Sequence, residues 1–441
     1  MRNLLGKRSA YKWLLLFFGI AVAFCCVFLI WKKIPRQRIQ DTIYADIDRD
    51  GDDEKIVLLW KKGRFGKHRP FWIKEDEDTY SQHIFIYDVL EDGSEQQKWF
   101  ASDIGREVVR MKIIGKNADT LLLEDTEGNN TLWRWGSWGL KNVENEVEFI
   151  AFGDNIIHKE IMNYAGAVKK GSYDFLYEPY SKEISEADIA AFGAETVLVD
   201  KESAVSGYPN FGSPLEVGEA LEKAGFDIAV CGNNHALDKG ISGIDVTTSF
   251  YNNNGIITVG VQNSRDKEYV PYETIAKNGL KFALFSYTYG TNGKDASSQY
   301  PYAVHYLPVS EKEKERAAED IKRARSEADF VIVFAHWGNE YEKEVSKEQR
   351  KAAEFFAGAG ADVIIGSHPH VVQKTDIIEC SDGRKTIVFY SLGNFRAYQG
   401  HSEETKTGGE AVIVFEHCYE GAGIKSYELR EIDAFAEGIP D

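Results

Sequence analysis

Two histidines, His368 and His370, follow a short β-branched run at residues 363–365 that is closed by Gly366. The run is too short for a helix and reads as a buried strand. In extended backbone two imidazoles at this spacing point to the same side. Pro369 between them stiffens the chain and lowers the entropy lost in holding both on one metal cluster. Four further segments repeat the arrangement: residues 147–152 precede Gly153-Asp154, residues 226–230 precede Asn233-Asn234-His235, residues 330–334 precede His336-Trp337-Gly338, and residues 386–390 precede Ser391-Leu392-Gly393-Asn394-Phe395. Each places His, Asp or Asn just past a strand's carboxyl end, the edge of an open α/β sheet where ligands collect. A lone His-x-His is ordinary loop chemistry, but five coincident strand ends predict a metal or active site.

The elements that must position these residues are legible from periodicity. From residue 147 onward, strands alternate with helices. Residues 215–224 carry Leu215, Val217, Ala220, Leu221 and Ala224 at helical spacing after Ser213-Pro214. Residues 311–328 and 347–357 read as two further helices, and 256–259 and 282–287 as additional strands, joined by short connections. This grammar predicts an α/β domain.

Residues 41–145 read differently, as short alternating segments (55–60, 83–89, 108–114, 120–124, 131–135) separated by Gly, Asn and Asp turns, which predicts an all-β domain. At its start Asp46, Asp48 and Asp50 occupy positions 1, 3 and 5 of a loop with Gly51 at position 6, the spacing by which a tight loop wraps oxygen ligands around calcium. Position 12 is Val57 and an apolar run follows where a helix should be, so this is no EF-hand. The segment resembles the calcium-binding loop of FG-GAP or VCBS-type β repeats; the alternative is a solvated acidic turn.

The 441 residues, 43% of them hydrophobic, suffice for two domains. A net charge of −18 argues against a nucleic-acid partner. The five cysteines (Cys25, Cys26, Cys231, Cys380, Cys418) are too scattered for a disulfide framework. Residues 13–31 are 19 consecutive uncharged, mostly apolar residues, long enough to cross a hydrocarbon core, with tryptophan at each end and basic residues on both flanks. Ala21-Val22-Ala23 could be cleaved as a signal, but the greasy new terminus favours an uncleaved anchor with the bulk of the chain outside the cell membrane. The expected division is therefore 1–40 tail and anchor, 41–145 small β domain, and 146–441 α/β domain.

Taken together, Gly153 to His158, Asn233 to Gly240, His336 to Tyr341, Gly366 to Gln373 and Tyr390 to Phe395 resemble, in order, the motifs of the CapA-type poly-γ-glutamate capsule biosynthesis family. That family is similar to calcineurin-like metallophosphoesterases. The resemblance implies an α/β/β/α sandwich with a two-metal site. It implies Asp154 and His370 as ligands of one ion, with His158 a further member, and Asn234, His336 and His368 as ligands of the other. Glu195 would supply the carboxylate between them. Where the family has Asn-x-Glu, its asparagine is Gly193 here, which removes a hydrogen bond expected near the metals. His235 would protonate a leaving group, oriented by Asp238. Mixed carboxylate, imidazole and amide donors suit Mn, Fe or Zn.

The function expected on this basis is a membrane-anchored, extracytoplasmic two-metal hydrolase or transferase acting on an anionic surface polymer such as poly-γ-glutamate, with capsule-synthesis subunits as partners. The alternatives are a non-catalytic assembly or export component of capsule machinery and a general metallophosphoesterase. Tyr208-Pro209-Asn210-Phe211 and Trp337 are expected to shape the cleft.

Overall fold

The computed structural model describes residues 37–66, 69–115, 117–399 and 402–435. The chain divides into two compact units, the first ending at Glu144 and the second beginning at Asn145.

The first unit is all-β. Strands β1 (Gln37–Ala45), β2 (Glu54–Lys62), β3 (Tyr80–Val89) and β4 (Glu95–Phe100) form one antiparallel meander, and β5 (Val108–Ile114), β6 (Thr120–Asp125), β7 (Asn130–Gly136) and β8 (Gly139–Val143) form a second. Ile56, Leu58, Ile84 and Ile86 of the first sheet pack on Met111, Leu121 and Leu123 of the second, the alternate residues that a period of two puts on one face.

In the second unit one sheet is ordered β14-β13-β10-β9-β22-β23, with β21 beside the end of β9, and the other β15-β16-β17-β18-β20-β19. The strands are β9 (Glu146–Asn155), β10 (Ile189–Ala194), β13 (Ile228–Val230), β14 (Ile257–Val259), β15 (Glu273–Lys277), β16 (Leu280–Thr288), β17 (Phe330–His336), β18 (Val363–Ser367), β19 (Thr375–Glu379), β20 (Lys385–Phe389), β21 (Asn394–Arg396), β22 (Thr407–Cys418) and β23 (Gly421–Asp433); β11 (Leu198–Val199) and β12 (Ser213–Pro214) make a small separate ladder. Strands β9, β10, β13 and β14 run parallel to one another, as do β16, β17, β18 and β20.

Both faces of each sheet are covered, which is why the strands are continuous apolar runs. Val147, Phe149 and Ala151 point between the sheets, against Phe282, Phe330 and Phe415. Their neighbours Ile150 and Phe152 point outward onto helical residues Leu221, Ile244 and Tyr251. On the far face, Phe285, Val331 and Ile364 meet Ile321 of helix Glu311–Glu327 and Phe356 of helix Lys347–Ala359. The unit is thus an α/β/β/α sandwich. Both of those helices begin at capping boxes, Ser310 with Glu313 and Ser346 with Gln349.

The expected transmembrane helix is corrected here, and with it the single-pass membrane location. No helix among the described residues is long and apolar enough to cross a membrane. Residues 13–31, on which that expectation rested, lie outside the described residues.

Candidate metal centre

Parallel strands of both sheets end along one edge, and that edge carries the cluster. Asp154 comes from the end of β9, Glu195 follows β10, Asn234 and His235 follow β13, His336 ends β17, and His368 and His370 follow β18. All seven side chains are buried.

One ligand atom from each of Glu195, His368 and His370 lies within 4.8 Å of the other two. Asp154 joins them, with Oδ2 3.6 Å from His370 Nδ1 and Oδ1 3.8 Å from His336 Nδ1. Glu195 lies 3.6 Å from His336 Nε2 and 3.8 Å from His370 Nδ1. His336 Nε2 is 2.8 Å from Asn234 Oδ1. Both carboxylate oxygens of Glu195 and Nδ1 of His368 are buried with no hydrogen-bond partner. Leaving such atoms unsatisfied costs several kilocalories per mole unless a cation is there to take them. The electrostatics agree. Burial, then the Glu195 charge, holds the Asp154 carboxyl well above its ordinary range, and burial pushes Glu195 up to about 8. Burial drives His336 and His370 well below the usual imidazole range, and His368 down to about 2. Neutral imidazoles facing desolvated carboxylates form a donor set that fits divalent metal ions.

The local backbone is specialised. His368 and His370 have φ of 95° and 59°, so the two rings converge through left-handed turns. The extended same-side geometry expected from the His-Pro-His spacing is not what brings them together. Such φ values cost of order 1–3 kcal/mol each outside glycine and persist only where the surroundings impose them. One restraint is visible: the His368 N–H donates to Asp154 Oδ2 at 2.9 Å.

His158 stands apart from the converging group. Its Nδ1 accepts from the Tyr398 N–H at 3.2 Å, its ring meets Phe211 edge-on, and burial lowers its pKa to about 4. His235 sits beside the cluster as part of a chain. Its Nδ1 bonds Asp238 Oδ2 at 2.7 Å, and Asp238 also accepts from the Phe211 N–H at 2.7 Å and from Lys294 Nζ. Burial opposes a charged His235, but the Asp238 hydrogen bond and the charges of Glu195 and Asp238 outweigh it, leaving the pKa raised.

Further residues support the cluster, and of these Ser367 and Tyr289 were not singled out from sequence. Ser367 Oγ holds His336 Nδ1 at 2.8 Å, and Asn394 Oδ1 holds His370 Nδ1 at 3.1 Å. Asn233 ties the loop to the neighbouring strand, donating to Ala194 O at 2.7 Å and accepting from the His235 N–H at 3.0 Å. The Tyr289 ring lies 4.6 Å from that of His368 and also lines a cavity of about 280 Å³ with Trp337, Asn339 and Gln349. Phe211 packs on His235, while Tyr208 is exposed. A larger cavity of about 700 Å³, lined by residues such as Asn252, Gln262 and Arg265, contains none of the converging residues. Cavity size therefore does not locate the site; the unpartnered ligand atoms do.

Gly193 has a steric reason. A Cβ there would lie 2.9 Å from Gly153 O and 3.0 Å from Asp154 Oδ1. An asparagine at this position would press on the carboxylate rather than support it. Gly193→Asn is expected to destabilise the fold by about 1–3 kcal/mol of overpacking, seen as a lower melting temperature, and to reduce metal content; a rise in either would show that the site misses the side chain.

In the first unit, oxygens of Asp46, Asp48 and Asp50 also lie within 4.8 Å of one another, and the Lys98 ammonium reaches into the same group, 2.5 Å from Asp48.

Residues 148–399 match the model of the family described as "Bacterial capsule synthesis protein PGA_cap". The chain belongs to this family. Among capsule synthesis relatives, it is 30% identical over 288 residues to "Capsule biosynthesis protein CapA" of Bacillus anthracis, covering 63% of this chain and 65% of that one. It is 33% identical over 217 residues to "PGA biosynthesis protein CapA" of Bacillus subtilis (strain 168), covering 49% and 53%. The chain thus spans less than two thirds of the length of these capsule synthesis relatives. Among solved structures, the calcineurin-like phosphoesterase YfkN from Bacillus subtilis aligns over 68% of this chain and 93% of its own, at 16% identity and a TM-score of 0.38.

Proposed function

We propose that this capsule synthesis family member is a two-metal-dependent hydrolase or transferase acting on a capsule polymer, poly-γ-glutamate being the substrate suggested by the relatives' names. The observation that carries this reading is the buried Glu195 carboxylate, unpartnered at both oxygens between three imidazoles. Asp154, Glu195, Asn234, His336, His368 and His370 would hold the ions. When bound, divalent ions of the Mn, Fe or Zn class supply Lewis acidity at this cluster.

The chain's own residues supply the rest. Asp238 takes His235 Nδ1, which leaves the opposite ring nitrogen to deliver a proton to a departing group. Lys294 and the Phe211 N–H keep Asp238 anionic, so the imidazole stays oriented. Ser367 and Asn394 fix the rings of His336 and His370, and Tyr289 covers one side of the cluster.

Metal analysis of the full chain, followed by turnover assays on phosphoester and γ-glutamyl substrates with Mn, Fe and Zn, tests the reading. Bound metal and metal-dependent cleavage or transfer of a γ-glutamyl bond are expected. Bound metal with phosphoester turnover alone would make it a general phosphoesterase. Absence of metal after loading would favour the non-catalytic assembly component.

A further inference from the structure

The aspartate loop joining β1 to β2 has the spacing of a calcium loop, but a cation from elsewhere in the unit already sits in it. Lys98, on β4, places its Nζ 2.5 Å from Asp48, 2.6 Å from Glu54, 2.9 Å from Asp88 and 3.4 Å from Asp50. Its side chain is only 14% exposed, and Glu54 is 2% exposed. An ammonium has three protons to donate, matched by the three shortest of these contacts. The third of the spaced aspartates is committed to its own backbone: Asp46 accepts from the N–H groups of Asp50 at 3.0 Å and Gly51 at 3.1 Å. Glu54 Oε2 in turn accepts from the Ile47 N–H at 3.0 Å, which fastens the start of the loop to its end. Burial disfavours the charge on Lys98, yet its hydrogen bonds to Asp48, Glu54 and Asp88 outweigh that cost and hold its pKa above the ordinary lysine value.

We infer that the Lys98 ammonium occupies the place a calcium ion takes in loops of this spacing, so that the first unit keeps its fold without calcium. The charge count supports this. Four carboxylates around one point repel one another unless a cation sits among them, and a lysine supplied by the chain cannot be removed by dilution or chelation. The carboxylates come from the β1–β2 connection, the start of β2 and the end of β3, so one side chain on β4 ties all three neighbouring segments together. On the function proposed above this has a use: a polycarboxylate capsule polymer takes up calcium, and a loop with a covalently attached cation is indifferent to that competition.

The test is the melting of the full chain followed by tryptophan fluorescence, to which Trp60, Trp99, Trp133 and Trp135 of the first unit contribute, alone and with Lys98→Met, in EGTA and in millimolar calcium. Wild-type melting should not change with calcium. Lys98→Met should melt lower in EGTA, by roughly 10 °C given the usual cost of breaking a buried charge group in a domain of this size, and calcium should restore it. A wild-type transition that rises with calcium, with the rise abolished by Asp48→Ala, overturns the inference. So does a Lys98→Met chain that melts like the wild type in EGTA, or one that calcium does not rescue. Should Lys98→Met fail to fold, terbium luminescence of the wild type decides. Lys98 Nζ lies 5.8 Å from the Trp135 ring centroid, close enough for that indole to sensitise a lanthanide in the loop. No loop-dependent emission is expected, and emission abolished by Asp48→Ala would overturn the inference. Metal in the second unit acts alike on the wild type, Lys98→Met and Asp48→Ala under one set of conditions, so differences between these chains report on the loop, and the proposed function can fail without this failing.

Discussion

A Glu195→Gln chain is expected to fold, to lose its metal and its turnover, and in chelator to melt no lower than the wild type. The substitution keeps the shape of the side chain and removes its charge. In the metal-free wild type that carboxyl is buried without a hydrogen-bond donor, and burial raises its pKa, so a neutral amide in its place costs little. With metal present the order should reverse, since an ion that binds only the folded wild type adds about 4 kcal/mol at a thousandfold excess over its Kd. The pH dependence follows with a definite sign. In the metal-free fold Glu195 has its pKa raised from 4.5 to about 8, so the folded state binds the proton more tightly than the unfolded chain does. Stability is then fully present below the unfolded value and is lost as pH rises from about 4.5 toward 8. Melting temperatures of chelated wild type measured between pH 5 and 8 should fall, and those of Glu195→Gln should fall less. A Glu195→Gln chain that keeps its metal and its activity would remove Glu195 from between the ions.

Replacing His235 by alanine should have the opposite profile. Its Nδ1 is committed to Asp238, so metal content should stay near normal. Turnover should drop about a hundredfold or more, the usual loss for a missing general acid. His336→Ala and His368→Ala should instead lose metal and activity together. If His235→Ala released metal as readily as His368→Ala, the donor assignment would be wrong.

The α/β alternation was legible because burial on two faces writes strands as unbroken apolar runs, as at residues 147–152 and 330–334, and because helices such as Leu215–Ala224 keep one apolar stripe; the two-sheet sandwich came from the family resemblance alone. Strands that bury little were not legible. Strand β1 is mostly exposed, and β4, Glu-Gln-Gln-Lys-Trp-Phe, has no alternation to read. At the site, residue types at strand ends were visible, but their precise convergence was not. The placement of His158 depends on Tyr398, far away in sequence, and the approach of His368 to His370 depends on positive φ values that no periodicity reports. The room at Gly193 is set by the backbone of Gly153 on the neighbouring strand. Lys98 was invisible as a loop partner for the same reason: the contact is made by strand order.

Strand β9, which ends in Asp154, lies between β10 and β22, and β22 comes from the far end of the chain. During synthesis, one hydrogen-bonding edge of β9 therefore has no partner from the time Asn155 is made until β21 and then β22 (Thr407–Cys418) emerge, a wait of roughly 10–50 s at ordinary elongation rates. Throughout that interval a run of hydrophobic residues is bordered by an open edge of the kind that recruits other chains. A ribosome stalled short of β22 would release a species prone to aggregate, its clustered Asp, Glu, Asn and His side chains made but their sheet unclosed.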